Sequence, residues 1–320
     1  MANIIQQHTL EKAKMHWEVK GTPKLLRTLQ NTVYQISIAD EPAVLRLTNS
    51  NHRNILQLKQ ELEWTLFLAN NGCNAARPLA STKGNLVETI AADDSEYFSS
   101  VFSFAVGKPI EETGVLCPAT LIAWGKEMGK MHRLSAHYHP QYQRDSYDLI
   151  KKYKLDFASH SEATNATSSI ITRIDKWING LPKDKTNYGM IHGDSVNFHI
   201  HENKVTFFDF DDCTYHWFCF DIANGLYSLR FIIQNENIDC GLTFTDCINL
   251  FIQGYRKEKE IDQIWVDRIP CFIKYRTALL YQWLKTPETA PRWVLDIEAE
   301  WRNKLELWIN ENLTSELNLI

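Results

Sequence analysis

Met190-Ile-His-Gly-Asp-Ser-Val-Asn-Phe-His-Ile-His-Glu-Asn-Lys-Val-Thr-Phe-Phe-Asp-Phe-Asp-Asp212 is the stretch that decides the reading of this chain. An apolar pair leads into a tight His192-Gly193-Asp194 turn. Phe198-His-Ile-His201 and Val205-Thr-Phe-Phe208 then alternate on either side of Glu202-Asn-Lys204, which predicts a β-hairpin. Asp194 and Asn197 stand just before that hairpin and Asp209 just after it. Both ends of the hairpin are therefore expected on one edge of the domain.

Two carboxylates and an amide oxygen gathered in this way suit phosphoryl transfer. One carboxylate orients an attacking hydroxyl and accepts its proton; the other, with the Asn, binds Mg²⁺ against a triphosphate. Either tripeptide alone reads as a cap or a solvated loop. The two together, with a hairpin of the right length between them, carry the chemistry. A further acid, Asp221, follows in Cys219-Phe-Asp-Ile-Ala223.

Outward from the island, the first hundred residues read mostly as strand. Val33–Ile38 and Ala43–Thr48 flank an Asp40-Glu-Pro turn, a hairpin pattern. A helical repeat of Ile55, Leu58, Leu62, Leu66 and Leu68 follows and stops at Asn71-Gly72. Leu86-Val87 and Tyr97–Phe104 read as two more strands. After Gly107 the character changes. Residues 118–136 carry Leu121, Ile122, Met128, Met131 and Leu134 on one stripe, residues 146–153 and 168–178 continue the helical pattern, and helices run from Phe220 onward. His132, His137 and His139 read as surface positions at a helix end. The expected fold class is α+β, with a β-rich lobe over 1–104, a mainly helical lobe over 105–320, and a hinge at 103–107.

A chain of 320 residues exceeds the usual span of one hydrophobic core, which agrees with two lobes. Lys+Arg 34 against Asp+Glu 39 leaves a net charge of −5, and without clustered cations a nucleic-acid footprint is not expected. No apolar run is long enough to span a membrane, and the N-terminal residues do not have the pattern of a secretory leader. The seven cysteines are scattered and contain no CxxC pair, so free thiols in a reducing cytoplasm are expected. In Cys213-x2-His216-x2-Cys219 no fourth zinc ligand stands at a recognisable spacing, and buried thiols are the expected state.

The island resembles the aminoglycoside phosphotransferase/choline kinase family, which shares the two-lobed protein-kinase-like fold. The resemblance extends over essentially the whole chain and is stronger in the C-terminal lobe. It implies that His192-Gly-Asp194 is the catalytic loop, with Asp194 the base and His192 fixing the loop. It implies that Asp209-Phe-Asp211 is the metal motif, with Asp209 the principal Mg²⁺ ligand, and that Asp221 buttresses the loop. One departure stands out. The family's Asn follows the catalytic Asp by five residues, whereas Asn197 follows Asp194 by three. The shortened loop leaves three alternatives: Asn197 reaches the metal, a water replaces it, or the enzyme is weakened.

The same resemblance asks for a cation on the third strand, paired to a Glu on the next helix. Arg46 stands where Lys is usual, and Glu61, with Glu63 as the lesser candidate, is the partner. There is no GxGxxG loop; Gln30-Asn-Thr-Val-Tyr34 occupies that turn, and Asn31 either contacts phosphate or stabilises the turn. Ser103, Phe104 and Ala105 match the hinge that meets the adenine, with Phe102 behind the base. On the acceptor side Asp211, Asp212, Tyr215, His216 and Trp217 follow the metal motif, the last two expected in a loop. Acids with aromatics suit an ammonium-bearing substrate. The expected function is an ATP- and Mg²⁺-dependent kinase acting on a small-molecule hydroxyl, with homoserine, choline or an aminoglycoside as candidates. A Ser/Thr protein kinase of the same fold and a nucleotide-binding pseudokinase are the alternatives.

Overall fold

The structure, a computed structural model, describes residues 7–92, 95–142, 172–235 and 238–285, together with Asn303 and Leu307. The helix expected over 146–153 lies outside the described residues, as does the start of the one expected over 168–178. The chain divides into two compact units. The first comprises Met1–Gly107, Tyr138–Arg144 and Thr206–Asp211; the second comprises Lys108–His137, Asp145–Val205 and Asp212–Ile320.

The first unit opens with α1 (Gln7–His16) and continues as β1 (Lys20–Thr28), β2 (Asn31–Ile38), β3 (Glu41–Asn49), α2 (Ile55–Asn70), β4 (Pro78–Leu79), β5 (Glu88–Ala91) and β6 (Glu96–Ser103). The strands form one antiparallel sheet in the order β1-β2-β3-β6-β4, with β5 on β6. The β2–β3 hairpin turns at Ala39 and Asp40, whose φ angles of 50° and 65° have the left-handed sign that matches the twist of the flanking strands. Helix α2 begins at a capping box in which the Asn54 side chain accepts from the Gln57 amide and Gln57 Oε1 accepts from the Asn54 amide. One sheet face packs Ile36, Leu45, Leu47 and Val101 against Leu10, Ala13 and Trp17. A second cluster joins Leu58 and Leu62 of α2 to Val87 and Phe98. Leu86-Val87 is not itself a strand; β5 starts one residue later. The apolar pair marks burial beside α2 rather than ladder pairing.

Register places two arginines on one face of the sheet. Val33 is opposite both Arg27 of β1 and Arg46 of β3, and Arg46 is opposite Ser100 of β6. Laterally paired residues share a sheet face, so Arg27 and Arg46 project to the same side.

The second unit contains α3 (Pro118–Ser135), α4 (172–179), β7 (Tyr188–Ile191), β8 (Phe198–His201), β10 (Thr214–Trp217), α5 (Phe218–Asn235), α6 (Phe244–Tyr255), α7 (Gln263–Val266) and α8 (Ile269–Lys285). Strands β7 and β10 pair antiparallel, and β8 pairs with β9 (Lys204–Phe207) in the expected hairpin, turning at Glu202 and Asn203 with φ of 47° and 61°. Helices α3 and α6 cross backbone to backbone. A Cβ on Gly125, Gly129 or Gly254 would strike the carbonyl oxygens of Phe251, Tyr255 or Ile122. Trp124 and Phe251, both 0% exposed, pack beside that seam at 5.1 Å between ring centroids. With a β-rich first unit and a mainly helical second, the fold is α+β. Among the described residues, no helix is long and apolar enough to cross a membrane.

Candidate active site

In the second unit, Asp194 stands on a loop tied to one carboxylate. The His192 amide donates to Asp221 Oδ2 at 2.9 Å and the Gly193 amide to Oδ1 at 3.0 Å. The Ser195 hydroxyl donates to the Asp221 carbonyl at 2.9 Å, and the Asn224 side-chain amide donates to the Gly193 carbonyl. Gly193 has φ +83°, and a Cβ there would strike the Asp212 carbonyl oxygen, so the loop requires glycine at this point. The Asp194 amide donates to His192 Nδ1 at 3.3 Å.

The contracted loop closes on itself. The Asn197 amide donates to the Asp194 carbonyl at 3.1 Å, and Asn197 Nδ2 donates to Asp194 Oδ2 at 2.8 Å. Three-residue spacing is what lets both bonds form. Asp194 and Asn197 are both half-buried.

Asp221 is fully buried in the first turn of α5. Burial works to raise its pKa, but the hydrogen bonds from His132 and from the loop amides overcome this and hold the carboxyl below its ordinary range. The partner His132 corrects the sequence reading. It is not a surface residue but 0% exposed, with Nε2 at 3.0 Å from Asp221 Oδ2 and Nδ1 at 2.9 Å from the Tyr255 hydroxyl. His137 and His139 are exposed as expected. A histidine in the last turn of an amphipathic helix gives no sequence sign of burial; only its i−4 neighbour Met128 and the preceding Met131, both 0% exposed, mark the inward stripe.

In the first unit, Arg46 and Glu61 form a two-pronged ion pair, 2.7 Å from Nη1 to Oε1 and 2.8 Å from Nη2 to Oε2. They are 4% and 1% exposed. Burial opposes the guanidinium charge, but Glu61 overcomes it and raises the Arg46 pKa above its usual value. The Arg46 guanidinium lies 5.0 Å over the Phe102 ring. Glu63, the lesser candidate, instead accepts from the Gln141 amide at 2.8 Å.

Asp209 adopts φ 60°, a left-handed conformation that Asp tolerates better than most residues. It is half-buried, and burial first, then the neighbouring Asp211 charge, push its pKa up to about 6 against the opposing pull of Arg46 and Arg27. Asp211 behaves in the opposite way. It receives His52 Nε2 at 2.7 Å and Arg53 Nε at 3.0 Å, and these hold its carboxyl well below the usual range despite burial. Asn31 bridges Thr48, whose hydroxyl donates to its Oδ1 at 2.7 Å, to Asp211, reached by its Nδ2 at 3.4 Å.

Two acceptor-side placements differ from expectation. His216 and Trp217 lie in β10, not in a loop, and each is 3% exposed. The indole of Trp217 donates to the Pro182 carbonyl at 2.9 Å, and His216 packs 4.1 Å from Phe220. Asp211 is likewise engaged within the first unit, while Asp212 and Tyr215 are half-buried. At the expected hinge, the Ser103 amide donates to the Arg77 carbonyl and its hydroxyl accepts from the Arg77 amide, both at 2.8 Å; Phe104 and Ala105 follow the end of β6. Cys213 and Cys219 are buried thiols, the latter donating to the Trp265 carbonyl at 3.1 Å.

A sheet that seats an arginine–glutamate fork beside an aspartate, and a helical unit that presents another aspartate on a pinned loop, define a phosphotransferase of the kinase type. The family model described as APH, phosphotransferase enzyme family, matches residues 24–245, and the chain belongs to that family. It is an enzyme, a kinase. The amicoumacin kinase of Bacillus subtilis (strain 168) is 28% identical over 285 residues, covering 86% of this chain and 83% of the relative. An amicoumacin kinase solved in complex with AMP-PNP, Ca²⁺ and Ami superposes with a TM-score of 0.83 at 24% identity, covering 98% of this chain and 94% of that one. A microcompartment-associated aminopropanol kinase does so at 0.73 and 17%, covering 97% and 98%.

Proposed function

We propose that this kinase transfers the γ-phosphoryl group of ATP to a hydroxyl of a small molecule and uses Mg²⁺ to do so. The observation that carries the reading is the half-buried Asp194 carboxylate, presented by a loop whose backbone amides are anchored to Asp221. Asp194 orients the acceptor hydroxyl and takes its proton as the acceptor oxygen bonds to phosphorus. The bond from the γ-phosphorus to the bridging oxygen breaks, and ADP leaves with that electron pair.

The residues assigned to the cation carry the oxygen donors a hard ion prefers. Asp209 has carboxylate oxygens, and Asn197, whose Nδ2 is given to Asp194, has a carbonyl oxygen. When bound, Mg²⁺ neutralises charge on the phosphates. Arg46, oriented by Glu61, and Arg27 on the same sheet face draw the phosphates to the first unit. Ser103, Phe104 and Ala105 meet the adenine. Residues 1–104 act as the nucleotide lobe and 105–320 as the catalytic and acceptor lobe.

Amicoumacin is the first acceptor to test, because a relative that matches most of both chains is an amicoumacin kinase. Asp212, half-buried just after the metal motif, is the acid assigned to an amine on the acceptor. The experiment is ADP release with ATP and Mg²⁺ across amicoumacin, aminopropanol, choline, spectinomycin, homoserine and a basic protein. Turnover with a small molecule, cut to a small residual rate in Asp194→Ala while ATP binding persists, is expected. Turnover with the protein alone, or an Asp194→Ala enzyme as fast as wild type, would refute the reading.

A further inference from the structure

We propose that His132 and Tyr255 are positioning residues that set the pose of the catalytic loop through Asp221; the inference rests on Asp194 being the base. Ionised carboxylates accept hydrogen bonds and never donate them. The 3.0 Å contact from His132 Nε2 to Asp221 Oδ2 therefore requires the proton on Nε2. Burial lowers the His132 pKa, so the ring is neutral and Nδ1 is an acceptor. The Tyr255 hydroxyl, 2.9 Å from Nδ1, must then donate.

The result is a directional chain. Tyr255 O–H donates to His132, His132 donates to Asp221, and Asp221 accepts the amides of His192 and Gly193 that flank Asp194. His132 and Asp221 are 0% exposed and Tyr255 1%, so water does not substitute for any link. Phe218 stacks on the imidazole at 4.6 Å and 19°, which fixes the ring plane. The members come from three helices. His132 is in the last turn of α3, Tyr255 ends α6 and Asp221 is in the first turn of α5. The glycine seam between α3 and α6 sets the spacing of the first two, since a Cβ on Gly129 would strike the Tyr255 carbonyl oxygen.

A carboxylate held by one histidine and two amides has a single orientation. Without the histidine, Asp221 is free to turn, and both amides lose their fixed acceptor. The consequence is a displaced Asp194 with the nucleotide site untouched. Loss of alignment at the reacting atoms lowers turnover rather than ground-state binding.

The test uses the full-length protein with Tyr255→Phe, His132→Gln and His132→Leu. Hydrogen exchange of the peptide carrying the His192 and Gly193 amides is measured beside kcat and the KM for ATP. Expected are faster exchange in that peptide and a kcat about tenfold lower with KM unchanged in His132→Leu, a smaller effect of the same kind in Tyr255→Phe, and recovery in His132→Gln, which keeps a donor and an acceptor. His132→Leu added to Asp194→Ala should cost no further rate. Unchanged exchange in Tyr255→Phe and His132→Leu, or a full additional loss on top of Asp194→Ala, would overturn the proposal. Should His132→Leu not fold, Tyr255→Phe and His132→Gln decide it. Should wild type show no transfer at all, the kinase reading fails, and the exchange data still decide the positioning.

Discussion

Replacing Glu61 with Leu removes one carboxylate and leaves the Arg46 guanidinium 4% exposed without its two-pronged partner. Breaking a buried ion pair from one side costs about 3–5 kcal/mol. Asp209 and Asp211 remain within the field of Arg46, so the lower end, about 3 kcal/mol, is expected. With a urea slope of about 2 kcal/mol/M, the unfolding midpoint should fall by roughly 1.5 M. Adding Arg46→Met removes the stranded charge and replaces it with an apolar side chain of comparable length. The double variant should regain most of the lost stability, because a well-packed apolar pair can match a buried ionic one. It should not regain nucleotide affinity. Urea unfolding followed by tryptophan fluorescence, with equilibrium dialysis of ATP, separates the two effects. A double variant as unstable as Glu61→Leu alone would refute the stranded-charge argument. One that binds ATP like wild type would refute the role of Arg46.

Asp209→Asn should weaken binding of ATP in the presence of Mg²⁺ by about tenfold or more while leaving metal-free ATP binding unweakened, as dialysis with and without chelator will show. Burial lowers the His216 pKa to about 3 from an ordinary 6.5, so the unfolded chain takes up a proton that the folded one refuses. Its contribution to stability is complete above pH 6.5 and declines as pH falls towards 3, by about 1.4 kcal/mol per pH unit. His216→Phe should flatten the fall in the urea midpoint between pH 6.5 and 4.5, and an unchanged slope would contradict this. Gly193→Ala places a Cβ at φ +83° against the Asp212 carbonyl; transfer should fall by about tenfold or more with a lowered Tm, since both the backbone strain and the clash sit beside Asp194.

Much of this was legible because the informative residues are close in sequence. The β8–β9 hairpin follows from alternation and turn chemistry over about a dozen residues, and the motifs at its two ends carry the family resemblance that in turn implies the Arg46–Glu61 partnership and the place of Asp221 at the loop. What stayed hidden depends on pairing across long separations. Strand β1, Lys-Gly-Thr-Pro-Lys-Leu-Leu-Arg-Thr, is mostly exposed and does not alternate, so nothing local marks it as an edge strand. His132 meets Asp221 across 89 residues and Tyr255 across 123, and its burial is dictated by helices that periodicity describes only singly. Trp217 lies in a four-residue strand that follows an acidic run, and such a segment has the composition of a loop. The partners of Asp211, His52 and Arg53, lie 159 and 158 residues away, so the acidic run by itself gives no sign of them.

The discontinuity of the first unit has a consequence for synthesis. Residues 206–211 belong to it, and they bring Asp211 to His52 and Arg53, Phe210 to Trp64 at 5.5 Å, and the Phe207 carbonyl to the Ala76 amide at 2.8 Å. A nascent chain that has emerged only to Gly107 lacks all three contacts. At about 5–20 residues per second, the ribosome needs roughly 5–20 s more to deliver them. During that interval two basic side chains and an indole await partners encoded a hundred residues downstream. Slow translation or truncation within that stretch should therefore expose the nascent amino-terminal part to chaperones and proteases.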